Sequence, residues 1–453
     1  MNLPNYFLAD LPPEAVLTPK MIGEACQTLK QNRERYFGNR TTQNLIETLS
    51  GLARNWLEPS YPFRKLALEQ GQAATGYSSA TLASGLDSFF KQLTKENFAA
   101  LVEQDLGHVR RLDAMVFSDA ELRTNRAGIA TPPELIAHIG AGTLPNPSLL
   151  SLVLGILVRS AQFMKCASGT SLLPRLFAHS IYEIEPKLAA CLEVAEWRGG
   201  KIELEDALFH EANCVTATGS DETISAIRER VAGKGRLVVY GQKVSFAFVT
   251  SSVLSGLNAP KVVGRAAADV IAWNQLGCLS PHVIYVESGG GISPEQFAVN
   301  LAEELAKAEQ ASPRAEIPVE AAATISSKRS FYEIRAAHSG ETRLFRSENS
   351  TAWTVVFEAD SRFQLSCLNR FIYVKPVKDL TEALQGADSV RGKVSAVGLA
   401  APEDKAEAIA TTLARWGATR VCPLGRMQEP SLLWRHDGRP SLADLVTWTD
   451  WEM

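Results

Sequence analysis

Residues 213–231 read NCVTATGSDETISAIRERV and join a short β-type run to a helical stretch through a single Gly-Ser pair. The run 213–218 contains the Val and Thr residues that favour strands, and 222–231 has the apolar spacing of an amphipathic helix. Backbone N–H groups at the start of such a helix, with the Ser220 hydroxyl, point at whatever lies above the strand. This geometry at Gly219 and Ser220 suits a pyrophosphate group, and an ordinary Ser/Asp helix cap explains the same residues at least as well.

The same strand–helix unit recurs along the chain from about residue 132 onward. The β-type runs are 213–218, 237–241, 246–250, 283–287, 371–376, 394–399 and 420–423, and the helical stretches between them include 222–231, 266–276, 294–310 and 404–416. This alternation predicts α/β layers with a mostly parallel sheet. Residues 342–358 are predicted instead to form two antiparallel strands around a Ser-Glu-Asn-Ser turn, which would suit a sheet-extending contact between subunits.

The first 115 residues or so are predicted to be helical. Thr18 followed by Pro19 is a good helix start, since it places a capping hydroxyl before a proline at the first helical position. Residues 83–106 have apolar positions three and four apart, as one amphipathic helix requires. The main domain boundary is expected at 255–262, where the sequence SGLNAP suits a linker.

Composition excludes several classes of protein. The chain has 453 residues, of which 45% are hydrophobic and 21% charged, and its net charge is −4. This length predicts two to four domains of roughly 100–200 residues each. The apolar fraction excludes disorder for the bulk of the chain. A near-neutral balance without a block of five like charges gives no support for nucleic-acid binding.

The cysteines and the apolar windows indicate where such a chain resides. The seven cysteines are odd in number and form no C-x-x-C pair, so we predict neither a disulfide framework nor a structural zinc site. The N-terminus lacks a basic segment followed by an apolar core, and the most apolar window, 148–158, is too short to span a bilayer. We therefore expect a reducing, cytoplasmic location and no membrane span.

Two further segments contain residues that can support chemistry. The three glycines at 289–291 lie between a predicted strand and a predicted helix, and we interpret them as a turn rather than an anion site. Lys165 ends a β-type run, where a lysine can reach a ligand at the crevice of an open α/β sheet. Taken alone, a surface lysine whose ammonium reaches solvent is the simpler interpretation.

Cys278 is predicted to lie on a short loop, where catalytic residues are common. The helix 266–276 is expected to end at Gly277, and Pro281 prevents its continuation. Nothing in the neighbouring sequence guarantees a lowered thiol pKa, because His282 is four positions away. A buried and inert thiol is the common state of a free cysteine, and it is our interpretation for the other six.

Taken together, these segments resemble the LuxC-like acyl-CoA reductases, the fatty acid reductase component of bacterial luciferase systems. That family belongs to the aldehyde dehydrogenase superfamily. The resemblance covers at least residues 76–451 and is specific because several blocks occur in the right order. The blocks are 151–160 with Lys165, 173–180, 219–223, 240–246, 275–281, 422–428 and 436–438.

The resemblance implies an α/β fold of the aldehyde dehydrogenase type, with a Rossmann-type cofactor domain, an α/β catalytic domain and a helical N-terminal region. The expected units are N-terminal helices at 1–115 packed on the cofactor domain, a nucleotide-binding domain at 116–258, a catalytic domain at 259–430 with Cys278, and a C-terminal tail at 431–453.

The resemblance also implies roles for particular residues. Cys278 matches the thiol nucleophile of the superfamily, Lys165 the lysine at the adenosine ribose, and Gly219 with Ser220 the pair that receives the pyrophosphate. Ser168 takes the place of a Glu that binds the ribose hydroxyls in NAD-preferring relatives. Since a serine cannot repel a 2′-phosphate, NADPH is expected in preference to NADH.

The sequence departs from the family pattern at three places. Thr143 stands where the family usually has an Asn that donates to the oxyanion, and losing such a donor can cost about 10²–10³ in rate. The Thr143 hydroxyl or a nearby backbone group is expected to substitute. Gln242 stands where many relatives have His. Val239 and Tyr240 occupy the region of the Glu base of aldehyde-oxidising relatives, and a reductase does not need that base because it must exclude water.

The function predicted from this resemblance is NADPH-dependent reduction of an acyl-CoA, a fatty acyl-CoA above all, to an aldehyde through an acyl-cysteine thioester on Cys278. Acyl-CoA or acyl-AMP, an acyl-activating protein and a second copy of the chain are the partners it suggests, without a metal. Three alternatives stay open. They are an aldehyde or semialdehyde dehydrogenase acting on a smaller substrate, a cysteine acyltransferase or thioesterase with His179, His282 or His436 as base, and a catalytically silent scaffold.

Overall fold

The N-terminal region is a layer of helices. The computed structural model describes residues 3–12, 14–38, 40–140, 142, 144–233 and 235–453. The first helices are α1 (Pro19–Phe37), α2 (Thr42–Leu57), α3 (Pro62–Thr75), α4 (Ser79–Phe90) and α5 (Lys95–Leu106). The Thr18 hydroxyl accepts the N–H of Met21, which confirms the predicted start of α1.

The prediction of a single helix over 83–106 is wrong, because the structure has two helices there, α4 and α5. The break lies at residues 91–94, where the Thr94 hydroxyl accepts the N–H of Asn97 and begins a new helix. Apolar spacing continues across the break because both helices bury one face in the same core, including Leu86, Phe90 and Phe98.

The nucleotide-type sheet has five parallel strands, in the order β4-β3-β2-β5-β6. The elements of this part are α6 (Asp119–Leu122), β1 (Arg126–Thr131), β2 (Leu135–Ile139), α7 (Asn146–Leu157), β3 (Ala161–Cys166), α8 (Leu172–Ile184), α9 (Pro186–Ala189), β4 (Leu192–Glu196), α10 (Ile202–Glu211), β5 (Cys214–Thr218), α11 (Asp221–Val231) and β6 (Arg236–Tyr240). The order reverses between β2 and β5, and such a switch point opens a crevice at the carboxyl ends of the strands.

The second sheet has seven strands, in the order β13-β12-β7-β8-β11-β10-β9. Its elements are β7 (Val244–Val249), α12 (Asn258–Ile271), β8 (Pro281–Glu287), α13 (Pro294–Ala311), α14 (Val319–His338), β9 (Thr342–Arg346), β10 (Thr354–Glu358), β11 (Phe371–Val377), α15 (Leu380–Gly386), β12 (Val394–Ala400), α16 (Glu403–Trp416) and β13 (Val421–Pro423). The antiparallel pairing of β9 with β10 confirms the hairpin predicted at 342–358, and β9 is the edge strand.

The chain passes from one sheet to the other at residues 241–243, earlier than the linker expected at 255–262. Strand β7 pairs with β8 and β12, so it belongs to the second sheet although the expected nucleotide-binding domain extended to residue 258. Residues 255–262 instead lead into α12, whose Val262 and Val263 are buried against that sheet. The SGLNAP sequence has the composition of a linker, but tertiary contacts place it inside the second domain.

The C-terminal residues end in strand β14 (Thr447–Glu452), which pairs antiparallel with β1. The expected tail at 431–453 therefore includes an ordered two-stranded ribbon. Trp448 and Trp451 of β14 are 43% and 56% exposed, so neither is a core residue.

The N-terminal helices share one hydrophobic core with the five-stranded sheet and its helices. Leu49 and Trp56 of α2 lie in the same buried cluster as Leu152 of α7 and Phe177 of α8, as expected for helices packed on this domain. Trp273, which precedes the loop 276–280 that contains Cys278, belongs to the same cluster. In the described part of the chain, no helix is both long and apolar enough to cross a membrane.

Candidate active site

Cys278 lies on a loop that follows an unusual backbone turn. Helix α12 ends at Ile271 rather than at the predicted 276, and Trp273, Asn274 and Gln275 then adopt positive φ angles of 51°, 51° and 64°. Such angles are strained for residues with side chains, and they persist only where the surroundings hold them. The Gln275 amide donates to the carbonyls of Pro281 and Phe371 at 2.8 Å each, which fixes this turn against β8 and β11.

Cys278 is an exposed residue, but the surrounding protein still desolvates its thiol. All seven cysteines lie in the described residues and are unpaired, and Cys278 is the one that is exposed. Desolvation by the surrounding protein raises the pKa of the Cys278 thiol to about 11, and the negative charge of Asp437 acts in the same direction. Its own backbone N–H, the Ser395 hydroxyl and Arg420 oppose this shift. The sulfur is therefore accessible while it rests as a protonated thiol.

Two side chains from distant segments border the residue before the thiol. A Cβ on Gly277 would lie within 2.8 Å of the Gln428 amide nitrogen and within 3.0 Å of Leu144 Cδ1. Gln428 also donates to Ser280 Oγ at 2.5 Å, and Ser245 Oγ donates to the carbonyl of Cys278 at 2.8 Å. The catalytic loop is therefore held from β7, from the segment after β2 and from residues 424–428.

The segment that carries Gln428 is fixed by a buried carboxylate. Asp269 of α12 accepts the N–H groups of Gly425 (2.6 Å) and Met427 (2.9 Å), and burial raises the pKa of Asp269 to about 7. Arg420 donates to the carbonyls of Arg426 and Met427. These contacts position Gln428 beside the loop, and nothing in the local sequence around Cys278 pointed to them.

The predicted oxyanion residue, Thr143, lies outside the described residues, so its role stays a prediction. Its neighbour Leu144 reaches Gly277, as noted above, which brings the segment after β2 to the catalytic loop.

Lys165 is a buried residue at the carboxyl end of β3, and the surface-lysine interpretation is wrong. Its side chain is 4% exposed, and its ammonium nitrogen lies 5.8 Å from the centroid of the Trp197 ring. Burial lowers the pKa of Lys165, while the charges of Glu205 and Glu196 raise it. Within the described part of the chain its ammonium has no hydrogen-bond or ion-pair partner. A buried cation without a partner at this edge of the sheet fits an anionic or polyhydroxylated ligand.

Ser168 is exposed in the loop that follows β3, three residues after Lys165. The structure places a carboxylate from the next strand beside this loop. Glu196 of β4 accepts the N–H groups of Gly169 (2.7 Å) and Ser171 (3.2 Å), so both of its oxygens are engaged by backbone. Arg198, two residues further on, is exposed and makes no hydrogen bond or ion pair with any described residue.

Gly219 and Ser220 lie where the sequence predicted, between β5 and α11 at the switch point. The Gly219 N–H donates to the carbonyl of Tyr240 at 3.2 Å. Ser220 caps α11, since its hydroxyl accepts the N–H of Thr223 at 3.3 Å. The helix-cap interpretation is therefore confirmed, and an anion at this helix start remains a prediction.

None of the three histidines considered as a base is a hydrogen-bond partner of Cys278 in the described structure. Burial lowers the pKa of His282 to about 4, and its Nδ1 accepts the N–H of Ser366. His179 Nε2 is hydrogen-bonded to Asp10 Oδ2 at 2.9 Å. His436 is stacked on Tyr240, with ring centroids 4.2 Å apart. The nucleophile–base pair that a cysteine thioesterase requires is absent among these groups.

The turn after His436 places a carboxylate near the thiol. Asp437 has a φ of 52°, in the left-handed region, and its side chain is 10% exposed. Its Oδ1 has no hydrogen-bond partner within the described residues. The stacking of His436 on Tyr240 anchors this turn at the end of β6. Residues 436–438 belong to the blocks that resemble the family, but the sequence alone predicts no role for Asp437.

The glycines at 289–291 form a tightly packed turn, as interpreted from the sequence. A Cβ on Gly290 would lie 2.7 Å from the carbonyl oxygen of Ser251, and one on Gly291 would lie 2.6 Å from that of Leu254. Elsewhere in the described chain, no group of three or more His, Cys, Asp or Glu residues is arranged to hold a metal ion.

The fold is that of the aldehyde dehydrogenases, and similar solved structures cover nearly the whole chain. An aldehyde dehydrogenase from Anabaena variabilis matches with a TM-score of 0.69 and 16% identity over 96% of this chain and 93% of its own. The glyceraldehyde-3-phosphate dehydrogenase GapN from Methanocaldococcus jannaschii, solved with NADP, matches with a TM-score of 0.68 and 13% identity over 99% of both chains.

Within that fold, residues 38–448 match the acyl-CoA reductase (LuxC) family, and the chain belongs to it. The long-chain acyl-protein thioester reductase of Photorhabdus laumondii is 22% identical over 90% of this chain and 82% of its own. The enzyme of the same name from Aliivibrio fischeri is 21% identical over 91% and 83%. The resemblance seen in the sequence is confirmed, and it defines an oxidoreductase that acts at the level of an acyl group and its aldehyde.

Proposed function

We propose that the protein reduces a fatty acyl-CoA to the aldehyde with NADPH, through an acyl thioester on Cys278. The observation that carries this proposal is the accessible thiol of Cys278 on a loop held rigidly at the junction of the two sheets. The named relatives are long-chain acyl-protein thioester reductases, which supports an acyl thioester as the substrate.

The residues at the switch point fit a dinucleotide. The ammonium of Lys165, which has no hydrogen-bond or ion-pair partner among the described residues, suits the ribose hydroxyls of the adenosine half. The start of α11 at Gly219 and Ser220 suits the pyrophosphate. When bound there, the reduced nicotinamide supplies the hydride that converts the acyl thioester to the aldehyde level.

Cys278 carries the acyl group through the reaction. Its thiolate attacks the thioester carbonyl, forms a new C–S bond and expels the donor thiolate, which takes up the proton that Cys278 released. The Cys278 backbone N–H faces the sulfur and suits the carbonyl oxyanion, with Thr143 as the proposed second donor. After reduction, the C–S bond to Cys278 breaks and the aldehyde leaves. Because a thiolate is a good leaving group, this step needs no strong base.

NADPH rather than NADH is proposed on the charges around Ser168. The only carboxylate bonded to its loop in the described structure, Glu196, already accepts two backbone N–H groups, and Arg198 at the end of β4 is unengaged. A nearby arginine is the usual partner of a 2′-phosphate. Titration of the protein with NADPH and NADH, followed by tryptophan fluorescence because Trp197 lies against Lys165, tests this preference. Equal affinities for both, unchanged in Arg198→Ala, would contradict it.

The function is tested by intact-mass spectrometry after mixing the protein with long-chain acyl-CoA. We expect an acyl adduct on the wild type and none on Cys278→Ala, and we expect NADPH to remove the adduct as aldehyde forms. An adduct that disappears equally fast without NADPH would indicate a thioesterase. Absence of an adduct with every chain length would contradict acyl-CoA as the donor and leave an acyl group delivered by a partner protein or a silent scaffold. Turnover of short aldehydes alone would favour the smaller-substrate dehydrogenase.

A further inference from the structure

A cavity that the proposed reaction has not used lies beside the active site. It has a volume of about 620 Å³ and is formed by the flank of α11, the end of β6 and the turns at 392–393 and 437–439. The side chains and backbone that line it are Asp221, Ile224, Ser225, Arg228, Val239, Gly241, Gln242, Lys243, Gly392, Lys393, Asp437 and Arg439. It extends along the side of α11 from Asp221, the first residue of that helix, to Arg228, whereas the proposed pyrophosphate position is at Gly219 and Ser220.

The lining of this cavity carries more positive than negative charge. Four of its residues are cations and two are anions. Three of the cations already have partners in the protein: Lys393 lies 3.7 Å from Asp221, Lys243 donates to the carbonyl of Gly392, and Arg439 donates to that of Val239. The exposed side chain of Arg228 makes no ion pair or hydrogen bond with any described residue, so the cavity offers a free guanidinium. Guanidinium groups bind phosphates through paired hydrogen bonds.

The cavity also contains a nearly buried acceptor, the Oδ1 atom of Asp437, which has no hydrogen-bond partner among the described residues and lies 4.0 Å from His436 Nε2. A buried carboxylate oxygen costs free energy unless a donor reaches it. The backbone of Asp437 is strained, and such strain often marks a ligand contact. A ligand that completes the cavity should therefore bring an N–H or O–H to Asp437 and a phosphate to Arg228.

The cavity lies near Cys278, because Ser245, two residues after the lining residue Lys243, donates to the carbonyl of Cys278 at 2.8 Å. On the other side, Tyr240 stacks on His436 beside Asp437, whose charge raises the pKa of the Cys278 thiol. A ligand anchored at Arg228 and Asp437 would thus point its far end toward the thiol.

We infer that this cavity binds the phosphopantetheine arm of the acyl donor, with its phosphate at Arg228 and its hydroxyl or amide N–H at Asp437. This inference rests on the proposed function and assigns the place in the fold where the arm of the acyl donor binds. Phosphopantetheine combines a phosphate, a hydroxyl and two amides with an apolar dimethyl group, which matches the cations, Asp437 and the apolar Ile224 and Val239 of the lining. Its thioester end would then meet Cys278 while the dinucleotide holds the start of α11.

Direct binding is the first test, and it needs no turnover. Calorimetry with CoA, 4′-phosphopantetheine and pantetheine is carried out on the wild type, Arg228→Ala and Lys405→Ala, which removes an exposed cation of α16 far from the cavity. We expect Arg228→Ala to weaken CoA by about tenfold or more, as for loss of a charge-assisted hydrogen bond, and Lys405→Ala to match the wild type. Pantetheine, which lacks the phosphate, should bind the wild type and Arg228→Ala equally weakly.

The same titrations distinguish CoA from a carrier protein as the source of the phosphopantetheine arm. If 4′-phosphopantetheine binds as well as CoA, the arm is recognised whether it arrives on CoA or on a carrier protein. If only CoA binds, its nucleotide carries the recognition and the arm assignment is overturned.

A kinetic split gives the second test. The rate of acylation of Cys278 is compared for acyl-CoA and for the acyl thioester of N-acetylcysteamine, which has neither phosphate nor hydroxyl. In Arg228→Ala we expect slower acylation at low acyl-CoA concentration and an unchanged rate with the truncated thioester. Equal losses for both donors would overturn the inference, because they would indicate a distorted site.

Competition separates this inference from its main rival and from the proposed function. NADP⁺ should bind without displacing CoA and should keep its affinity in Arg228→Ala. If NADP⁺ displaces CoA and loses affinity in this variant, the cavity belongs to the dinucleotide and the inference fails. Absence of any acyl adduct with either donor, despite CoA binding that depends on Arg228, would instead contradict the proposed function.

Discussion

At the scale of single residues, the environment of Cys278 opposes ionisation of the nucleophile. The protein around it and the charge of Asp437 raise its pKa to about 11, although the side chain is exposed. A high thiol pKa leaves little thiolate near neutral pH, but the thiolate that forms is strongly nucleophilic. In the proposed reaction, bound substrate and cofactor would have to shift this balance, since the protein alone holds this thiol protonated.

The first prediction concerns the rate at which iodoacetamide alkylates Cys278 in the apoprotein. Because the thiol pKa is about 11, the rate should rise by about tenfold per pH unit between pH 7 and 9. Intact-mass spectrometry with Cys278→Ala as the blank measures it, since the other thiols are largely buried. A rate that levels off below pH 8 would contradict the prediction.

A second prediction assigns part of this shift to Asp437. In Asp437→Asn the negative charge is gone while the shape is kept, so the pKa of Cys278 should fall and alkylation at pH 8 should be faster than in the wild type. Asp221→Asn, at the far end of the same cavity and absent from the groups that act on the thiol, is the control. A slower or equal rate in Asp437→Asn would show that its charge does not reach the sulfur.

At the scale of elements, the turn before the catalytic loop is braced by the N-terminal helices. Trp273, the first of three residues with positive φ, packs against Tyr77 with ring centroids 5.1 Å apart. A Cβ on Gly85 of α4 would lie 1.9 Å from the same indole ring. The packing of α4 therefore affects the position of the Cys278 loop through the side chain of Trp273.

The third prediction uses two glycines in helices. Gly85→Ala should destabilise the protein by about 1–3 kcal/mol, as overpacking does, and should slow acylation of Cys278 because the indole must move. Gly23→Ala in α1 meets nothing within 4 Å and should be neutral or stabilising by up to about 1 kcal/mol. Denaturant unfolding and acylation rates measure both effects. Equal behaviour of the two variants would show that Trp273 is free to yield.

Much of the element pattern is readable from the sequence, because each strand–helix unit carries its own local signals. Strand β5, α11 and the hairpin of β9 and β10 occur where their residues predict. Local periodicity did not separate α4 from α5, since both helices bury the same kind of face. It also did not assign β7 to the second sheet, since a strand's partners are chosen by long-range contacts.

The candidate site likewise combines residues that the sequence predicts with residues that it does not. Cys278, Lys165, Gly219 and Ser220 are found through chain-local motifs, whereas Gln428 reaches the loop from 150 residues away. Its partners Asp269 and Arg420 act through backbone groups and leave no sequence motif.

At the scale of the whole molecule, the buried Asp269 and the partly buried Glu193 link stability to pH. Burial raises the pKa of Glu193 and of Asp269 to about 7 each. Glu193 of β4 accepts the N–H of Leu8 at 2.7 Å and so fastens the N-terminal segment to the edge of the cofactor sheet. The folded protein binds these two protons more tightly than the unfolded chain does. Their contribution to stability is therefore complete below the unfolded pKa near 4 and is lost as pH rises through 7.

The fourth prediction is that Glu193→Gln flattens part of this pH dependence. The amide keeps an acceptor for Leu8 but cannot ionise, so the melting temperature should fall less between pH 5 and 8 than it does in the wild type. Glu229→Gln, an exposed neighbour of Arg228 on α11, should retain the wild-type slope. Parallel curves for all three proteins would contradict the assignment to Glu193.

The filled space beside Gly277 limits how the site can be engineered. Leu144 comes from the first domain and Gln428 from the second, and together they occupy the space that a side chain at 277 would need. Substitutions at these two positions will therefore be epistatic, with the best partner at one depending on the residue at the other. A library intended to change the accepted acyl chain should randomise 144 and 428 jointly and keep glycine at 277.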